Sequence, residues 1–184
     1  MKTWRVALAR ALTETDRLDE AREQLAILGS DGFEQPVNWL WSAYMVALSH
    51  AVADLNDRTT SAILYERLRP VAGQVCQQAG VLISGGSFGT YCGKLAACLG
   101  RWEEADAHFA ASVAMNERIG ARPHVVRARR SWAQMLVERD APGDRERAAE
   151  LIATGRAEAE QLGMARELEL LERLTTRLAS TTAT

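Results

Sequence analysis

The chain has 184 residues, 47% of them hydrophobic by type, and its 22 Lys and Arg side chains stand against 24 Asp and Glu for a formal net charge of −2. That balance, even along the chain, removes the electrostatic case for direct nucleic-acid binding, which calls for a basic excess or stripe. No run of 18 apolar residues offers a membrane-spanning helix, and no signal-peptide pattern follows Met1-Lys2-Thr3-Trp4-Arg5.

Ala, Leu, Glu and Arg dominate, and β-branched runs of period two are absent, so the pattern predicts helix almost throughout. A first helix is expected over 3–13. Asp16 is expected as the N-cap of a second, with Asp19 and Glu20 in its first turn, ending at Leu28 before Gly29-Ser30-Asp31-Gly32. After Pro36 a third helix is expected over 37–54. Asn56-Asp57 marks a turn, and a fourth helix is expected over 59–69, with Pro70 kinking or ending it. Residues 73–86 are the least regular part, and Val81-Leu82-Ile83 reads as a short extended piece or as the start of a helix. Helices are then expected over 87–99, closed by Gly100, and over 102–119, closed by Gly120. A seventh carries Pro123 in its first turn and runs to Arg139. Asp140-Ala141-Pro142-Gly143-Asp144 reads as a turn, with Asp144 as N-cap of an eighth helix ending at Leu162 before Gly163. A ninth, over 165–178, sets Leu168, Leu171, Leu174 and Leu178 on nearly one face. The tail at 181–184 is expected to fray.

A block recurs along this pattern. Arg17-Leu18-Asp19-Glu20-Ala21 returns as Arg101-Trp102-Glu103-Glu104-Ala105, with weaker copies around Ala62 and Ala148. The four alanines are 41, 43 and 43 residues apart. A large apolar residue follows four positions later as Leu25, Phe109 and Ile152, while Glu66 breaks the rule in the second copy. A fixed period of this size predicts stacked helical hairpins, none of which buries its own apolar face.

Leu99-Gly100-Arg101-Trp102-Glu103-Glu104-Ala105 followed by Phe109 resembles the tetratricopeptide repeat, although the period of about 43 departs from that family's usual 34 residues. The longer helices resemble the superhelical repeat region of large bacterial ATP-dependent transcription regulators of the maltose-activator type. Asn116-Glu117-Arg118-Ile119-Gly120-Ala121-Arg122-Pro123 and Pro142-Gly143-Asp144-Arg145-Glu146-Arg147-Ala148 extend the likeness to the repeat region of regulators that carry an ATPase or cyclase module. The resemblance implies an all-α fold: a right-handed α-solenoid of about four antiparallel hairpins (3–29, 37–72, 87–120 and 122–163) with a capping helix over 165–178. It also implies that the concave face, lined by the first helix of each hairpin, binds partners. Aligning on the repeat alanines places Arg10, Tyr44, Lys94, Arg127, Arg130 and Gln134 there. Guanidinium groups form paired hydrogen bonds to carboxylates, so this set suits an acidic peptide or a terminal carboxylate.

Little else points to chemistry. Gly85-Gly86-Ser87-Phe88-Gly89-Thr90-Tyr91-Cys92-Gly93-Lys94 invites a phosphate-loop reading, but only three residues separate Gly89 from Gly93, and Leu95 stands where a hydroxyl is needed. The segment reads better as the start of a helix in which Gly89 and Gly93, one turn apart, permit close packing. His50, His108 and His124 lack metal-ligand spacing. Cys76, Cys92 and Cys98 are odd in number with no C-x-x-C, so no disulfide framework is expected, and Cys92 and Cys98 read as buried free thiols. Trp39 and Trp41 with Tyr44 form the best candidate for an aromatic surface; the other tryptophans read as packing. No cofactor, metal or catalytic residue is expected.

The expected role is a cytoplasmic, non-enzymatic interaction or sensor module of a bacterial transcription regulator. Its partner would be a protein, a peptide or a small ligand, an ATPase or cyclase module of the same regulator included. The alternative is a self-assembly scaffold, a homodimer in which the ninth helix buries its leucine stripe against a symmetry mate.

Overall fold

The computed structural model describes residues 2–30, 32–38, 40–78 and 83–180. Over these the protein is mostly helical: α1 (Lys2–Glu14), α2 (Leu18–Gly29), α3 (Trp41–Asp54), α4 (Arg58–Leu68), α5 (Phe88–Cys98), α6 (Trp102–Arg118), α7 (Arg122–Arg139), α8 (Asp144–Gln161) and α9 (Ala165–Ser180). α4 ends at Leu68 and passes into a 3₁₀ turn at Arg69–Val71 that contains Pro70. No described helix is long and apolar enough to cross a membrane. The expected frayed tail at 181–184 lies outside the described residues, as do Trp39 and Val81-Leu82.

Consecutive helices pack in pairs, α1 on α2, α3 on α4, α5 on α6, α7 on α8, and each odd-numbered helix also packs on the next odd-numbered one, from α1 through α9. The repeated block explains the pairing. Ala21, Ala105 and Ala148 are fully buried, and Leu25, Phe109 and Ile152, one turn on, are buried beside them. In the second repeat the small buried residue is Ser61, not Ala62, and the large one is Tyr65. The register expected from Ala62 is therefore wrong by one residue. The backbone agrees: Asp16, Asn56, Gly100 and Gly143 all have positive φ, and each stands five residues before Ala21, Ser61, Ala105 and Ala148. In the first three the next residue's N–H bonds back to a carbonyl five residues earlier, Arg17 to Leu12, Asp57 to Val52 and Arg101 to Ala96. This is a helix-terminating bond pattern in which a left-handed residue reverses the chain.

Three expected caps or starts are corrected by the same geometry. Asp16 is the left-handed residue itself, at φ 58°, and caps nothing. Asp57 is the true cap in the second repeat, accepting the Thr60 N–H at 3.0 Å. Asp144 lies inside the first turn of α8, where it accepts the Ala141 N–H at 2.9 Å and is held by Arg139. The third helix starts at Trp41 rather than at residue 37, because the Asn38 side chain accepts the Leu40 N–H at 2.9 Å and forms a turn there.

An element that an all-α reading omits sits between the second and third pairs. Strands β1 (Val75–Gln78) and β2 (Ile83–Ser87) form an antiparallel hairpin, with Val75 opposite Ser87 and Gln77 opposite Ser84 across a bulge. β1 packs on α3, and β2 on α5, α6 and α7. A buried polar chain anchors it: the Ser87 N–H donates to Asn116 Oδ1 at 2.9 Å, and Asn116 Nδ2 donates to the Ser112 hydroxyl at 3.3 Å. Ser87 Oγ caps α5 by accepting the Gly89 N–H at 3.1 Å. α5 then lies hard against α6, since a Cβ on Gly93 would stand 2.8 Å from the Phe109 ring.

Candidate functional site

A cavity of about 760 Å³ opens among the odd-numbered helices. α1 contributes Arg10, α3 His50 and Asp54, α5 Tyr91 and Lys94, α7 Arg127, Arg130 and Gln134, and α9 Glu167 and Arg173. Ser84 and Gly85 of β2 close one side. The hairpin is held there by two bonds, the Tyr91 hydroxyl donating to the Gly85 carbonyl at 2.7 Å and His124 Nε2 lying 2.9 Å from the Ser84 carbonyl. Gly86, at φ 72°, admits no side chain because a Cβ would stand 2.7 Å from the His124 ring.

Five of the six residues selected from the sequence line this one space: Arg10, Lys94, Arg127, Arg130 and Gln134. Tyr44 does not. It is fully buried in the core with its hydroxyl unpartnered, and burial raises its pKa. The reason is the register of the second repeat. Counting from Ser61, Tyr44 occupies the place of Ser131, which is also buried, rather than the place of Arg130. The same correction exposes a residue that sequence reasoning missed: His50 stands 11 residues before Ser61, as Arg10 stands before Ala21 and Lys94 before Ala105.

Arg10, Lys94, Arg127 and Arg130 each have an acidic neighbour. Arg10 Nε donates to Glu14 at 3.0 Å. Lys94, itself largely buried, donates to Asp54 Oδ1 at 3.1 Å, with His50 Nδ1 also at 3.1 Å. Burial drives the His50 pKa well below its ordinary value, and the charges of Lys94, Arg10, Arg130 and Arg127 push it the same way. His50 is therefore neutral near pH 7, and its Nδ1 accepts from the ammonium group. Arg127 Nε donates to Glu167 Oε1 at 3.2 Å and Arg130 Nε to Oε2 at 2.7 Å. Gln134 bonds to Glu138 at 3.0 Å. Glu167 carried no signal in the sequence beyond being an acid in the first turn of a helix.

Comparison with protein-family models, with curated proteins and with solved structures finds no match. Among the described residues no group of three or more His, Cys, Asp and Glu is placed to hold a metal ion. The glycine-rich segment read as a failed phosphate loop is taken up by β2 and α5, and its lysine is the Lys94 that faces Asp54 and His50.

The remaining sequence candidates divide. Trp41 is half-buried with its ring tilted against Phe88 at a centroid separation of 5.8 Å, and Tyr44 lies inside the core, so two of the three residues of the expected aromatic surface are turned inward. Trp132 donates to Asp106 at 2.8 Å beneath the Arg147 guanidinium, a packing role. Trp4, by contrast, is 76% exposed on α1. Cys76 and Cys92 are buried, and burial pushes the Cys92 thiol up to about 12; Cys98 is only half-buried and donates to Asn56 Oδ1. The leucine stripe expected to serve a dimer is used within the chain: Leu171 and Leu174 are buried where α9 packs on α7 and α8.

Proposed function

We propose that this chain is a non-enzymatic binding module, a tetratricopeptide-like α-solenoid whose hollow takes an acidic ligand or the acidic end of a partner peptide. In this reading it serves as the sensor or regulatory part of a bacterial transcription regulator and works in the cytoplasm. One observation carries the proposal: Arg10, Lys94, Arg127, Arg130 and Gln134, picked from a repeat register and scattered between positions 10 and 134, border one cavity. Its volume lies within the roughly 300–1,000 Å³ range of small-molecule sites. The cations come from α1, α5 and α7, so a ligand binding them all would change how the pairs pack on one another. That is a direct route from occupancy to a neighbouring module.

The test is calorimetric titration of an acidic peptide, and separately of a dicarboxylate, into the protein and into a double variant, Arg127→Glu with Arg130→Glu. The proposal expects affinity to fall by about tenfold or more, the equivalent of one lost charge-assisted contact. Unchanged affinity removes the cavity as the binding site.

A second reading, self-assembly, draws on one different feature. Trp4 and Leu8 are exposed one turn apart on α1 at the outer end of the helix series. Light scattering across a concentration series separates the two, and a strict monomer removes the assembly reading.

A further inference from the structure

The two arginines that best suit an acidic ligand already hold a carboxylate, and the chain supplies it. Glu167 is 8% exposed in the first turn of α9, with each of its oxygens taken by a different arginine of α7. Arg127 remains about half exposed in this arrangement, so the fork faces open space as well as Glu167. The rest of α9 is fastened independently, with Leu171 and Leu174 buried and the Leu171 side chain close to Gly155 of α8. The first turn adds the two Glu167 bonds to the packing of Met164 and Leu168, and it comes just after Gly163, a left-handed residue at φ 65°.

We infer that Glu167 is a built-in occupant of the anion site, and that a small aliphatic dicarboxylate entering the cavity displaces it from Arg127 and Arg130 and loosens the first turn of α9. The inference rests on reading the cavity as a ligand site and specifies its ligand class. A carboxylate is favoured because the fork is already shaped around one. A second carboxylate is favoured because Lys94 and Arg10 line the same space. An aliphatic spacer is favoured because Val46, Met164 and Leu170 line it too, and neutral His50 adds no charge. A ligand that competes with an internal group binds more weakly by the fraction of time the site is self-occupied, about tenfold if the group is bound nine-tenths of the time.

The test uses glutarate as the probe, with inorganic phosphate alongside it. Calorimetry on the full chain and on Glu167→Ala should show glutarate binding several-fold to about tenfold tighter in the variant, with Glu167→Gln in between. Hydrogen exchange on the unaltered chain should show the amides of Leu168 to Leu171 exchanging faster when glutarate is bound. That second measurement does not require any variant to fold. Equal or weaker glutarate affinity in both variants, or unchanged or slower exchange in α9, overturns the self-occupancy while leaving the cavity as the site, provided the Arg127 and Arg130 reversals weaken glutarate binding by about tenfold or more. Phosphate binding with no response to glutarate overturns the dicarboxylate class. No binding of either probe to any form overturns this inference, while the acidic-peptide titration separately decides the reading beneath it.

Discussion

Arg130 on α7 donates to Glu167 on α9 across 2.7 Å, in a contact where both side chains are mostly buried. It ties the last helix to the one two before it and closes the cavity on that side. Without Arg130 the carboxylate keeps only Arg127, at 3.2 Å and about half exposed. Arg130→Ala is therefore expected to destabilise the fold by about 2 kcal/mol, because a buried charge loses its better partner. Glu167→Ala should cost at least as much, about 2–3 kcal/mol, because it strands the mostly buried Arg130 guanidinium as well as releasing Arg127. Urea denaturation of the two variants checks both costs; a cost well below about 1 kcal/mol for either contradicts the prediction.

Two helical glycines make opposite predictions. A Cβ at Gly93 meets the Phe109 ring at 2.8–2.9 Å, and Phe109 is buried. Gly93→Ala should destabilise by about 1–3 kcal/mol despite the better helix propensity of alanine. At Gly155 of α8 the nearest atom would be a Leu171 methyl at 3.8 Å, an ordinary contact. Gly155→Ala should stabilise by about 0.5–1 kcal/mol through reduced freedom in the unfolded chain. Thermal melts of the pair should move in opposite directions.

Acid should weaken the protein before any carboxylate titrates. His50, His108 and His124 all have pKa values lowered from 6.5, in each case chiefly by burial. The unfolded chain then binds protons at these sites as pH falls through about 6.5 while the native state does not, so stability drops with falling pH. The slope is at most about 1.4 kcal/mol per pH unit for each histidine, and the loss for each ends below its folded-state pKa. Denaturant midpoints at pH 8, 7, 6 and 5 test this. A flat profile between 8 and 7 followed by a decline is expected, and a flat profile throughout contradicts it.

Asp144 is buried at the start of α8, accepting the Arg139 Nε–H at 2.8 Å and the Ala141 N–H at 2.9 Å. The Arg139 bond, more than any other influence, lowers its pKa. Asp144→Ala strands both donors at the α7–α8 turn and should cost about 2–3 kcal/mol, measured by chemical denaturation. Its depressed pKa adds stability present above about pH 3.8 and lost as pH falls further, a second acid transition below that of the histidines.

Tyr44 and His50 show where reading the chain alone stopped. One residue of helix turns a side chain by about 100°, so taking Ala62 rather than Ser61 as the repeat residue rotated the whole of α3. That slip moved Tyr44 from the core to the rim and hid His50. The clue was available: Tyr65, not Glu66, is the large residue that follows the small one by four. Glu167 had no such clue, because an acid in the first turn of a helix is ordinary whether or not two arginines from 37 and 40 residues away converge on it.

The sequence by itself determined the helices from α5 to α9 to within a residue or two, the period that pairs them, and five of the residues around the cavity. These follow from local rules: 3.6-residue periodicity, left-handed glycines after helix ends, and small residues where helices touch. Only the tertiary structure decided the face that α3 presents, the β-hairpin folded over the hollow, and the carboxylate lodged between Arg127 and Arg130. Each of those depends on groups brought together from distant parts of the chain, where burial and charge pairing outweigh any preference of the local segment.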